Sequence, residues 1–141
     1  MMRSLAALLL IATPALAGAA ERTATGTFEV GMSGDPASQM AMAKTYSGAL
    51  VGNGTGPFVG DTKVMVYVAL ETFQGTLEGR RGGFIMMHRG WQGADKVNHL
   101  DVAIAPNSGT GELAGITGSL AIRIDSDGSH HYSLRYTLPA Q

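Results

Sequence analysis

Apolar and polar residues alternate along most of this chain, in short runs closed by glycine. The runs are Thr23 to Met32, Met42 to Val51, Lys63 to Leu77, Gly82 to Trp91, Val97 to Ala105, Ser119 to Ile124 and His130 to Leu138, with a further short one near Thr110 to Leu113. Gly34-Asp35-Pro36 ends the first, and Gly52-Asn53-Gly54-Thr55-Gly56-Pro57 reads as a loop after the second. A period of two puts successive side chains on opposite faces of a strand. No segment sustains the 3.6-residue period, and Pro36 to Lys44 offers at most a helical turn. Many short strands between turns predict an all-β domain. With so little helix to cover an open sheet, closure is the simplest way to remove its edges. The expected fold is a closed antiparallel barrel of about eight strands.

Faces follow from the alternation. In Lys63 to Leu77 one face carries Met65, Tyr67, Ala69, Glu71 and Phe73, and the other Val64, Val66, Val68, Leu70, Thr72 and Gln74. Both are largely apolar, so the strand is central or is covered, by a partner chain in a homo-oligomer or by a lid from the N-terminal region. The turn that follows, Glu78-Gly79-Arg80-Arg81, suits a two-residue type II′ loop with Gly79 first, which pairs Glu78 with Arg81. Counting back pairs Leu77 with Gly82, Gly75 with Phe84, Phe73 with Met86 and Glu71 with His88. Glu71 and His88 thus become cross-strand neighbours on an aromatic and sulfur-rich face shared with Tyr67, Phe73, Phe84 and Met86. A carboxylate facing an imidazole in an apolar interior is either an acid–base or ligand-orienting pair, or a buried pair whose members satisfy each other.

In the last hairpin the turn chemistry and the burial pattern conflict. Asp127-Gly128 invites a two-residue loop pairing Arg123 with Tyr132, which puts Leu120, Ile122 and Ile124 on the opposite face from His130, Tyr132, Leu134 and Tyr136. A one-residue slip flips every side chain, so burial predicts an odd-length loop with both apolar sets inward. His130 then faces inward near the barrel mouth and His131 outward. Neighbours on a strand cannot both face one ion, so these two histidines are a poor metal motif, and no metal or cofactor is expected. His99 shares its face with Asp101 and belongs at the surface.

Composition narrows the setting. Arg3, the apolar run Leu5 to Ala12 and Ala15-Leu16-Ala17 form a secretory leader pattern, cut after Ala17 or Ala19. The apolar run is far shorter than the roughly 20 residues a membrane span needs. The expected organisation is a signal peptide over 1–17 and a single β-barrel domain over 18–141, periplasmic or secreted, with no membrane span in the mature protein. Cysteine is absent, so no disulfide or thiol nucleophile exists. Removing Arg3 with the leader leaves 9 basic and 11 acidic residues, a net charge of −2 that argues against nucleic acid as a partner. All 20 glycines fall after the leader, without a fixed period, as turns require. Gly109-Thr110-Gly111 lacks the Gly-Lys-Ser/Thr of a phosphate loop. Asp125, Asp127 and Gly128 lack the rest of a calcium loop.

Several stretches together resemble a known family. They are Lys44-Thr45-Tyr46-Ser47-Gly48, Glu71 to Arg80, Gly83-Phe84 to His88-Arg89-Gly90, Pro106 to Gly115, and Gly128 to Tyr132 with Tyr136. They resemble a small, mostly bacterial family of domains of unknown function whose members form an allene oxide cyclase-like β-barrel. The resemblance implies an eight-stranded closed antiparallel barrel, often self-associating, with no established activity. Glu71, His88 and His130 fall where the family pattern carries those residue types. The leader and the Gly52 to Gly60 loop depart from it. Allene oxide cyclases hold a fatty-acid epoxide in an apolar barrel; only the architecture carries over, because fold does not imply function.

Three functional readings follow. The first is a binding barrel for a small apolar ligand, lined by Tyr67, Phe73, Phe84, Met86, His130 and Tyr132, with Glu71 and His88 orienting its polar end. The second is an isomerase-, cyclase- or hydrolase-like enzyme with Glu71 and His88 as catalytic candidates. The third is a filled barrel whose outer surface mediates self-assembly.

Overall fold

In the computed structural model, which describes residues 18–140, the alternation closes on itself. The expected leader, residues 1–17, lies outside the described residues. The strands are β1 (Arg22–Gly34), β2 (Met40–Gly48), β3 (Leu50–Asp61), β4 (Val66–Leu77), β5 (Arg80–Gln92), β6 (Asn98–Ile104), β7 (Thr110–Gly111), β8 (Thr117–Ile124) and β9 (His130–Thr137). Around the ring the order is β4-β3-β2-β1-β9-β8-β6-β5, and β5 pairs back to β4. Every pair is antiparallel, so this is the expected closed eight-stranded barrel, with the two-residue β7 riding on β5. No helix is formed among the described residues.

The interior is filled by side chains. Leu50, Phe73, Leu77, Phe84, Met86, Leu113, Leu134 and Tyr136 are essentially inaccessible, and each large apolar side chain so buried contributes about 1.5–3 kcal/mol. Outside, the other face of β4 and β5 leaves Val66, Val68, Leu70, Met87 and Trp91 exposed. The two faces of β4 separate as the alternation requires, although the strand starts at Val66 because residues 62–65 form a turn, with Met65 at φ 52°.

Two local expectations are corrected. Gly52 to Pro57 is not a loop but part of β3. It reads as a loop because glycines stand where a strand normally shows its inward apolar residues. Space decides this: a Cβ on Gly54 would overlap the Glu71 carboxylate, and one on Gly56 would overlap the Leu70 carbonyl. The β4–β5 hairpin also turns one residue earlier than expected, which shifts the pairing register by two. Its loop is Glu78-Gly79, both with positive φ (47° and 83°), the pattern of a type I′ turn. Leu77 therefore pairs with Arg80, Phe73 with Phe84, Glu71 with Met86 and Ala69 with His88. A shift of two keeps every side chain on its face. Glu78 does not pair with Arg81; its carboxylate accepts a hydrogen bond from the Tyr136 hydroxyl at 2.6 Å.

The last hairpin follows burial over turn chemistry. Ile124 pairs with His130, Ile122 with Tyr132 and Leu120 with Leu134 across a five-residue loop. At the far end of β8 from this turn, β6 and β8 share one ladder pair, Ala103 with Ser119. Toward Leu100 and Ile122 the ladder stops and a cleft opens at the barrel mouth.

Candidate functional site

Inside the barrel, Glu71 is the centre of a closed polar network. Its Oε2 accepts from Lys44 Nζ at 2.8 Å and lies 2.9 Å from His88 Nε2, while its Oε1 accepts from the Tyr46 hydroxyl at 2.7 Å. Lys44 Nζ also sits 3.4 Å from the Tyr46 oxygen and 4.6 Å from the centre of the Phe28 ring. All four polar side chains are buried. Glu71 and His88 are diagonal neighbours, one row apart, so the altered register still brings them together.

Burial pushes the Glu71 carboxyl up. The hydrogen bond from His88, the Lys44 charge and the bonds from Lys44 and Tyr46 outweigh that, and the group lies below the ordinary carboxylate range. Tyr46 is driven the other way, by burial first and then by the Glu71 charge and hydrogen bond. The network is thus a carboxylate, an ammonium, a protonated phenol and an imidazole, with no buried side-chain polar atom left unpaired among the described residues.

The other expected site residues divide by depth. Phe73, Phe84 and Met86 are core filling. Tyr132 lies deep in the barrel; its hydroxyl accepts from Leu50 N at 2.7 Å and donates to the Ser47 carbonyl at 3.3 Å. His130 is half-buried against Phe28, with ring centres 5.0 Å apart. His131 lies 3.1 Å from Asp125, and His99 is exposed and stacked on Trp91.

Tyr67 alone of the expected set lines the mouth cleft, whose volume is about 530 Å³. Its walls are mostly apolar, including Met40, Phe58, Trp91, Leu100, Ile122 and Ile124, with Asp61 and His99 among the polar residues. Tyr67 stacks on Phe58 with ring centres 4.6 Å apart, over Gly90, where a Cβ would run into its ring. Burial raises the Tyr67 hydroxyl above its ordinary range and keeps it protonated.

Lys44 and Tyr46 were not among the expected site residues. The signal was available: Met40, Met42, Lys44 and Tyr46 alternate on one face of β2, and a lysine among inward apolar positions demands a buried anion. Among the described residues no three His, Cys, Asp or Glu side chains converge as metal ligands.

The model of a family described as "Protein of unknown function (DUF3224)" matches residues 19–136. Among solved structures the chain is similar to the crystal structure of a protein with unknown function from the DUF3224 family of Shewanella oneidensis MR-1. The two are 31% identical with a TM-score of 0.75, over 86% of this chain and 100% of that one. No curated protein matches the chain.

Proposed function

The chain belongs to the DUF3224 family of proteins of unknown function, and from that premise we propose that it is an exported binding barrel that takes a small apolar molecule at its mouth. The observation that carries this reading is the mostly apolar cleft of about 530 Å³ between Met40, Phe58, Tyr67, Leu100 and Ile122. Its size and lining are those of small-molecule sites. The filled core leaves the ligand the mouth and not the barrel centre, so Phe73, Phe84, Met86 and Tyr132 support the cleft from below. The leader pattern of Arg3, Leu5 to Ala12 and Ala15-Leu16-Ala17 is what supports a periplasmic or secreted protein. An allene oxide cyclase-like architecture belongs to the same proposal, as a likeness of barrel only.

Proton transfer by Glu71 has less support. Both of its oxygens are occupied by Lys44, Tyr46 and His88, and the carboxylate is sealed from solvent. Self-association is a second reading. It is favoured by exposed Val66, Val68, Leu70, Met87 and Trp91 beside the Arg89–Asp101 pair, whose opposite charges suit a second copy of the same face.

Titration with N-phenyl-1-naphthylamine, which fluoresces in apolar surroundings, tests the binding reading. A saturable rise is expected that Leu100→Arg removes while the circular dichroism stays native. An equal rise in the variant would place the probe elsewhere and sink the proposal.

A further inference from the structure

The walls of the mouth cleft are unbalanced in charge. Asp61 is the one carboxylate on them, and they hold no lysine or arginine. Asp61 closes β3, where its Oδ1 accepts from the backbone N–H of Lys63 at 2.8 Å and of Val64 at 3.4 Å. Both donors are neutral, and no cationic side chain is paired with Asp61 among the described residues. Aromatic rings make up much of the remaining wall. Phe58 and Tyr67 stack with centres 4.6 Å apart, and Trp91 stacks on His99 at 5.1 Å. The face of an aromatic ring is negative and attracts a cation. Trp91 already does so: the Arg89 guanidinium stands 5.0 Å from its centre, with its own charge answered by Asp101 at 3.1 Å.

The rim has the same sign as the walls. The connections 35–39, 62–65, 93–97 and 125–129 lie together at the mouth end of the barrel. Asp125 is neutralised there by Arg123 at 2.6 Å. Asp35, Asp61, Asp95 and Asp127 then stand against Lys63 and Lys96, an excess of two negative charges around the opening. Low-dielectric walls focus such a field into a cleft. An uncharged occupant gains nothing from it. A carboxylate or sulfate would bring its charge to a rim of its own sign, with no lysine or arginine on the walls to receive it.

We propose that the cleft selects organic cations, apolar molecules bearing one ammonium group. The charge is held by Asp61 and the rings of Phe58, Tyr67 and Trp91, while the hydrocarbon body lies against Leu100 and Ile122. The inference rests on the mouth-binding reading and adds the ligand class to it.

The experiment titrates the purified protein calorimetrically, at neutral pH, with three probes that share one ring system. They are (1-naphthylmethyl)trimethylammonium, 1-naphthylmethanol and 1-naphthoate. The cation is expected to bind roughly ten-fold more tightly than the alcohol, about the effect of one cation–ring contact, and the carboxylate more weakly than either. Added sodium chloride should weaken the cation alone. Asp61→Asn keeps an acceptor for the turn and should reduce the cation's affinity several-fold while leaving the alcohol's unchanged. Leu100→Trp fills the cleft without altering its charge and should remove binding of all three. Equal affinities for the three probes, all lost in Leu100→Trp, would overturn the charge selection and leave the mouth-binding reading standing. So would tighter binding of the alcohol or the carboxylate than of the cation. A cation preference undiminished in Asp61→Asn would sink the assignment of the charge to this carboxylate. A cation that binds Leu100→Trp as well as the unaltered protein sits elsewhere on the acidic surface, and the selection falls. If no probe binds, both the selection and the mouth-binding reading fall.

Discussion

Lys44 Nζ lies 2.8 Å from Glu71 Oε2 inside the barrel, with both side chains almost wholly withdrawn from solvent. A buried ion pair returns little net stability over an apolar pair of the same volume, yet breaking it strands a charge. Lys44→Met and Glu71→Gln are therefore each expected to cost about 3–5 kcal/mol in urea unfolding. The combined Lys44→Met/Glu71→Gln variant should recover most of that loss. Additive losses in the double variant would show that the two charges are not coupled.

The same pair sets an acid limit. The folded Glu71 carboxyl titrates below its unfolded value of about 4.3, so the folded state holds fewer protons than the unfolded one in that range. Its stabilisation is complete above the unfolded value and is lost as pH falls through the folded one. Below about pH 4 the unaltered protein should lose stability more steeply than Lys44→Met/Glu71→Gln, which lacks this carboxylate. Parallel profiles from pH 5 to pH 2 would remove Glu71 from the acid response.

Gly54 leaves the space that the Glu71 carboxylate fills. Gly54→Ala forces either the carboxylate or β3 to move, and overpacking of this kind costs about 1–3 kcal/mol. Loss of the Lys44 and Tyr46 bonds would add to that. Gly31→Ala, on β1 with nothing near its would-be Cβ, serves as the control and should leave the unfolding midpoint nearly unchanged. Equal effects at the two positions would mean that Gly54 is not a packing vacancy.

Much of this arrangement was legible because burial imposes a period of two. The Glu71–His88 pair survived an error of two residues in the β4–β5 register, since an even shift preserves faces. The odd length of the β8–β9 loop was readable because Leu120 and Leu134 had to share an interior. What was hidden depended on contacts distant in sequence. The glycines of β3 look like a loop until Glu71 is known to lie against Gly54. Lys44 looks like an ordinary strand lysine until Glu71, 27 residues away, is placed beside it. The cleft was invisible for the same reason, because it exists where the β6–β8 ladder stops.

On the outer surface, Val68 and Leu70 are 54% and 52% exposed, with Met87 across from Leu70. If this face joins a second copy, Leu70→Lys should reduce the sedimentation coefficient at micromolar protein and leave the melting temperature within a few degrees. A monomeric sedimentation coefficient in the unaltered protein would dismiss the self-association reading and leave the mouth cleft untouched.

Filling the cleft separates a binding site from a packing fault. Leu100 is 40% exposed on its wall, beside the point where β6 and β8 stop pairing. An indole at this position covers apolar surface of Phe58 and Ile122 and bridges the two strands. Apolar area withdrawn from water is worth roughly 25 cal/mol per Å², so Leu100→Trp should hold or raise the melting temperature. The same substitution should abolish the N-phenyl-1-naphthylamine signal by occupying its space. Higher stability with lost binding is the usual signature of a site kept open for function at some cost to the fold. Retained binding in a stabilised Leu100→Trp variant would show that the probe does not use this cleft, whereas a destabilised variant would show that the walls cannot accept the ring.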